Sequence, residues 1–235
     1  SFFRCCLACA CLMGVGSAWP QTQDPIQIGV AALERGHYAT ALRAWLPLAN
    51  GGNAQAQTNV GYMHERGFGV PQSYVEAIRW YRLAAAQGLA EAQYNLGTLY
   101  YYGYGVKANS VEAVDWFRRA AKQRLPEAEY MLGMAYVKGV GAPRSETEGL
   151  MWLLRSAKQG YLSAQLMAAQ TYLAIQRPDP FKAYVWSDIA AQRGNQDASL
   201  VRDYASFTLE RDQIALAAEA AKRCQSTDYQ DCPTD

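Results

Sequence analysis

The sequence predicts an all-α protein: a right-handed α-α superhelix, a solenoid of about five helix-turn-helix repeats closed by a C-terminal helical cap. Three observations predict it. Gly61, Gly97 and Gly133 stand 36 residues apart, and a second glycine keeps the same step at Gly69, Gly105 and Gly141. Trp80, Trp116 and Trp152 recur at that interval, as do Ala85, Ala121 and Ala157. Between these markers, Ala77, Trp80, Tyr81, Ala84 and Ala85 fall at helical spacing, which lays one apolar stripe along a helix. Fixed-period self-similarity marks units too small to bury their apolar faces alone, so the units must stack.

Taken in order, residues 1–18 read as an export signal. Arg4 precedes an apolar run from Cys5 to Val15, too short to span a bilayer, and Gly16-Ser17-Ala18 supplies small residues for cleavage after Ala18. A lipid on Cys9 or a buried helix are the alternatives. Residues 19–53 form a degenerate N-terminal unit. Gly29 and Ala41 are 12 residues apart, against 16 from Gly61 to Ala77, so its loop is four residues shorter.

Residues 54–195 hold the regular units. A first helix over Ala54–Arg66 carries Ala56 and Gly61 on its packing side, and Gly67 to Pro71 breaks it. The second helix opens with Ser73 and Glu76, in the spacing of a capping box. The spacing returns as Asn109 with Glu112 and as Ser145 with Glu148. Gly88, Gly160 and Gly194 close the second helices as C′ glycines, whereas Arg124 holds that place in the third unit, so its turn must close differently or carry strain. Further on, Ala164, Tyr172, Ala183, Trp186 and Ala191 keep the pattern, with Arg177-Pro178-Asp179-Pro180 replacing the glycine loop. Residues 196–235 form the cap: two helices broken near Thr208, then Cys224 and Cys232. Four of the six cysteines lie in the export signal. The remaining pair in an exported chain reads as a disulfide contributing about 2–3 kcal/mol, with two free thiols as the alternative.

The run Ala92-Gln93-Tyr94-Asn95-Leu96-Gly97, continued by Tyr100, Gly103-Tyr104-Gly105-Val106, Glu112-Ala113, Trp116-Phe117 and Ala120-Ala121, resembles a Sel-1-like repeat. That family is an α-solenoid related to the tetratricopeptide repeats, and the resemblance covers most of residues 26–195. The short-looped first unit looks more like a tetratricopeptide repeat proper. The resemblance implies an adaptor role in membrane-associated, signalling or envelope systems, and it brings no shared catalytic motif.

Composition and local strings agree with a binding role. Lys+Arg 22 against Asp+Glu 21, with no basic block, argues against nucleic acid. Gly103 to Ala108 fits GxGxxA but follows a helix rather than a strand, so it is an interhelical turn. His64-Glu65 lacks the second histidine of a zinc-protease motif, since Phe68 stands there. His64 takes a packing position shared with Tyr100, Tyr136 and Tyr172, and His37 is a surface residue. No GxSxG or SxxK occurs, and Ser156 replaces the packing alanines Ala84 and Ala120. No catalytic residue, cofactor or metal site is assigned.

Sixteen tyrosines carry the functional expectation. First-helix residues pointing away from the Gly97 packing side are Tyr94, Thr98, Tyr101 and Tyr102. Their counterparts are Thr58, Tyr62 and Arg66 one unit earlier, and Tyr130, Met134 and Lys138 one unit later. Tyrosine buries large area and keeps a hydroxyl for a partner. This stripe is expected to line a concave face that holds a protein or peptide, with an envelope glycan as the other ligand class. Replacing Tyr94 and Tyr101 by alanine is expected to abolish capture and leave melting unchanged. The expected setting is the periplasm or the secreted fraction, with a lipid-anchored form as the variant. The rival reading is a protein that binds or cleaves peptidoglycan or β-lactam-like compounds.

Overall fold

Each 36-residue period folds into a helical hairpin, and the hairpins pile up side by side. The computed structural model describes residues 24–233; the export signal, its cleavage point and Cys9 lie outside the described residues. Among the described residues there are twelve helices and no strand. They are α1 (Pro25–Glu34), α2 (Tyr38–Asn50), α3 (Ala54–Arg66), α4 (Tyr74–Ala86), α5 (Ala90–Tyr102), α6 (Ser110–Lys122), α7 (Pro126–Lys138), α8 (Glu146–Ala157), α9 (Leu162–Ala174), α10 (Pro180–Gln192), α11 (Gln196–Ser206) and α12 (Arg211–Ser226). Three residues join α1 to α2 and seven join α3 to α4, which accounts for the four-residue difference in the glycine-to-alanine spacing.

Close approach within each hairpin depends on the central glycine. A Cβ on Gly61, Gly97 or Gly133 would lie 2.8 Å from the side chain of Tyr81, Phe117 or Leu153 respectively. Those three side chains are themselves fully buried. Helix α4 buries its whole predicted stripe, from Ala77 to Ala85. The result is three adjoining apolar clusters rather than one globular centre, as a stacked architecture requires.

The second helices start with half of the predicted capping box. Ser73 Oγ accepts from the Glu76 N–H at 3.2 Å, Asn109 Oδ1 from Glu112 at 3.2 Å, and Ser145 Oγ from Glu148 at 3.3 Å. The reciprocal bond is absent. The cap N–H groups of Ser73, Asn109 and Ser145 donate instead to the carbonyls of His64, Tyr100 and Tyr136, each at 2.9 Å. The loop folds back over the preceding helix, so a carbonyl reaches the cap amide before a glutamate can. Glu76 is left to pair with Arg79. Asp179 repeats the arrangement, donating to the Tyr172 carbonyl and capping Lys182.

Arg124 closes its turn in the same left-handed conformation as the glycines, with φ 64° against 91° at Gly88 and 79° at Gly160. The turn keeps the glycine conformation, and with a Cβ at that φ it carries backbone strain.

Neighbouring units are tied by a polar ladder. Gln87 donates to the Gly52 carbonyl and to Gln57 Oε1, both at 2.9 Å, while Gln57 donates to the Ala49 carbonyl at 3.1 Å. One period on, Gln123 reaches Gly88 at 2.8 Å and Gln93 at 3.0 Å, and Gln93 reaches Ala85 at 3.3 Å. Near the far end Arg193 and Gln165 take these roles. Between them Glu129 stands where a glutamine would. It is fully buried and accepts from Gln159 at 2.7 Å and Arg155 at 3.1 Å. It has no donor to offer the Ala121 carbonyl. Burial holds its carboxyl above the ordinary range, against the pull of the half-exposed Arg155.

A carboxyl raised on folding removes stability as pH climbs through its unfolded value toward its folded one. Glu129→Gln removes the buried charge and restores the donor. At pH 7 the variant is expected to be more stable than wild type by about 1 kcal/mol, with the gain vanishing near pH 4. Urea denaturation at the two pH values checks this. A variant less stable at pH 7 would mean that the ion pair outweighs the burial.

The cap covers the last hairpin. Helix α12 packs on α10, and Trp186 Nε1 donates to the Pro233 carbonyl at 3.3 Å. Cys224 and Cys232 are buried with their sulfurs paired and Cα atoms 4.6 Å apart, a disulfide candidate.

Candidate partner-binding face

The ten predicted residues all fall on odd-numbered helices, α3, α5 and α7, the side expected to be concave. On that side helix α7 reaches α9 and α9 reaches α11, while on the other side α12 packs on α10.

The ten predicted residues fall into three groups. Thr58 is a correction: it is buried, and its hydroxyl turns back to the Ala54 carbonyl at 2.9 Å, so it offers a partner nothing. Threonine at that helical position satisfies itself on its own backbone, and Thr98 likewise donates to the Tyr94 carbonyl. Tyr62 packs edge-on against Phe68, with the Arg66 guanidinium 5.8 Å from its ring centre. Met134 is partly buried against the α8–α10 cluster, and Lys138 is exposed.

The tyrosines of α5 and α7 form the remaining group. Tyr94 and Tyr101 are half-packed against Phe117, at centroid distances of 5.9 and 6.4 Å. The expectation that both could be cut to alanine without loss of stability is therefore withdrawn, since their rings roof a core phenylalanine. Tyr102 is 55% exposed and stands edge-on to Tyr101 at 5.0 Å. It stacks on Tyr104, which stacks on Tyr74, in a line of rings toward the loop edge. Tyr130 meets Tyr161 at 5.4 Å. Desolvation raises the hydroxyls of Tyr94, Tyr130 and Tyr161 above the ordinary phenol range, and their neighbours add to it: Tyr161 acts on both Tyr94 and Tyr130, and Tyr101 and Tyr102 act on Tyr130. Rings from two successive units thus act on one another, and their hydroxyls stay protonated as donors.

Tyr161 and Glu127 were not among the sequence candidates. Tyr161 stands one period after Leu125 and two after Leu89, so a break in the repeat marked it. Glu127 lies in the first turn of α7, and its charge acts on both Tyr94 and Tyr161.

The imitated catalytic strings are structural. Gly103 and Gly105 both adopt left-handed turns after α5, and the Ser156 hydroxyl donates to the Pro126 carbonyl at 2.7 Å. No group of three metal-binding side chains occurs among the described residues.

A family model described as Sel1 repeat matches residues 54–89, 90–125, 126–161 and 163–195. Among solved structures, a Sel1 repeat protein from Oxalobacter formigenes is similar over 85% of this chain and 82% of its own, with 30% identity and a TM-score of 0.72. The protein c5321, a protective antigen of uropathogenic Escherichia coli strains displaying an SLR fold, is similar over 90% of this chain, with 28% identity and a TM-score of 0.74. The chain spans about half of that protein, 49% of its length. No curated protein matches the sequence significantly.

Proposed function

Because the chain belongs to the Sel1 repeat family, we propose that it is a non-catalytic scaffold or adaptor of the bacterial cell envelope that holds a protein or extended peptide on the inner side of its stack. The observation that carries this reading is the aromatic surface built by α5, α7 and Tyr161. Binding there would draw on a few ring contacts among many weaker ones.

Export rests on the signal at residues 1–18, and the paired Cys224 and Cys232 favour an oxidising compartment. No helix among the described residues is long and apolar enough to cross a membrane. The peptidoglycan or β-lactam alternative gains no support. It calls for two facing carboxylates, and the buried Glu129 is committed to Arg155 and Gln159.

The test is a pull-down from periplasmic extract with wild type and a Tyr102→Ala/Tyr130→Ala variant, beside Val111→Ala on the exposed start of α6. The inner variant is expected to lose at least about tenfold in capture, roughly the share of a ring hot spot. The outer variant should bind as wild type. Equal capture by both variants would place the partner elsewhere. Mass spectrometry of the mature N-terminus tests export separately, with Trp19 expected as first residue.

A further inference from the structure

The aromatic group contains a carboxylate oxygen with nothing to bind. Glu127 Oε2 is buried and has no hydrogen-bond partner. Glu127 stands one turn before Tyr130 on α7, on the same helix face, and Tyr130 meets Tyr161 at 5.4 Å, so the carboxylate lies beside that ring pair. Its charge also acts on Tyr94 and Tyr161. The charges acting on Tyr94, Tyr130 and Tyr161 come from one another, from Tyr101 and Tyr102, and from Glu127, with no lysine or arginine among them. A buried unpaired carboxylate oxygen is costly and calls for a partner.

We propose, resting on the binding role above, that this group seats one cationic side chain, a lysine or arginine of an extended peptide. Glu127 is its counter-charge, and the rings of Tyr102, Tyr130 and Tyr161 are its walls. The chemistry selects the occupant. Ring faces are negative and attract a cation within about 6 Å of the centroid. The carboxylate adds a charge-assisted hydrogen bond. An acidic peptide would meet like charge. A sugar hydroxyl would pair the oxygen and leave its charge uncompensated, and an apolar side chain would do neither. The Tyr101–Tyr102 and Tyr130–Tyr161 pairs, at 5.0 and 5.4 Å, come from different units, so stacking itself assembles the seat.

The test uses blocked pentapeptides with a central lysine, arginine or norleucine between alanines, and a tetrasaccharide of N-acetylglucosamine. Binding is read from NMR shifts of the tyrosine ring protons. The lysine and arginine peptides are expected to bind at least about tenfold more tightly than the norleucine peptide. Glu127→Gln, confirmed as folded by its melting curve, should erase that difference. Val111→Ala, exposed on α6, should leave it intact. Equal binding of norleucine, an unchanged preference in Glu127→Gln, or binding of the saccharide alone would each overturn the proposal. If basic peptides fail while Tyr102→Ala/Tyr130→Ala still loses its natural partner, the cation seat falls and the binding face stands. If both fail, the inner-face reading falls with it.

Discussion

Replacing Gly141 with alanine is expected to destabilise the protein by about 3 kcal/mol or more, combining overpacking with left-handed strain. A Cβ there would lie 2.1 Å from the Ser110 carbonyl oxygen and 2.6 Å from its carbon, both backbone atoms at the start of α6. The residue also sits at φ 75°. Gly69 and Gly105 press in the same way on Tyr38 and Tyr74, the first residues of α2 and α4. This glycine is therefore the seam between one unit's loop and the preceding unit's second helix. Gly88→Ala is the control. It has φ 91° but no neighbour within 4 Å, so it should cost only about 1 kcal/mol of backbone strain. Arg124→Gly, at φ 64°, should gain about 1 kcal/mol by the same argument reversed. Urea titration of the three variants separates seam from turn. Equal losses at Gly141 and Gly88 would mean that inter-unit contact contributes little at this point.

Phe117→Ala should show an effect of similar size, about 3–5 kcal/mol, with a consequence for binding. The ring is fully buried, lies against Gly97, and supports both Tyr94 and Tyr101. Removing it opens a cavity beside the glycine and leaves two inner-face rings without a floor. Capture of the partner should then fall at temperatures well below the melting point of the variant. Phe117→Leu fills most of the space and should recover most of the stability. Full capture by a folded Phe117→Ala protein would show that Tyr94 and Tyr101 need no support from the core.

The units, their loops and the buried stripe of α4 were legible because each rests on contacts within a hairpin. The spacing from Gly61 to Ala77 against Gly29 to Ala41 reported a loop length directly. Contacts between hairpins were harder to see. Gln57, Gln93 and Gln165, with Gln87, Gln123 and Gln159, repeat with the period. A glutamine at a helix end nevertheless looks like surface until its partner about 30 residues away is known. Glu76, Glu112 and Glu148 satisfied a local rule that a tertiary carbonyl overrode.

On the inner side, the stripe from Tyr94 to Tyr130 followed from helical geometry, and Thr58 was misplaced because spacing alone ignores its bond to Ala54. Tyr161 was missed because it stands at the N-cap of α9, outside the first-helix positions from which the stripe was drawn.

The central claim is that a partner lies along the inside of the stack. Site-specific photo-crosslinking tests it most directly, with benzoylphenylalanine placed at position 102 on the inner face or at position 111 on the outer one. The account predicts one partner adduct at position 102, absent at 111 and lost when Tyr130→Ala is added. An adduct at 111 with none at 102 would contradict it.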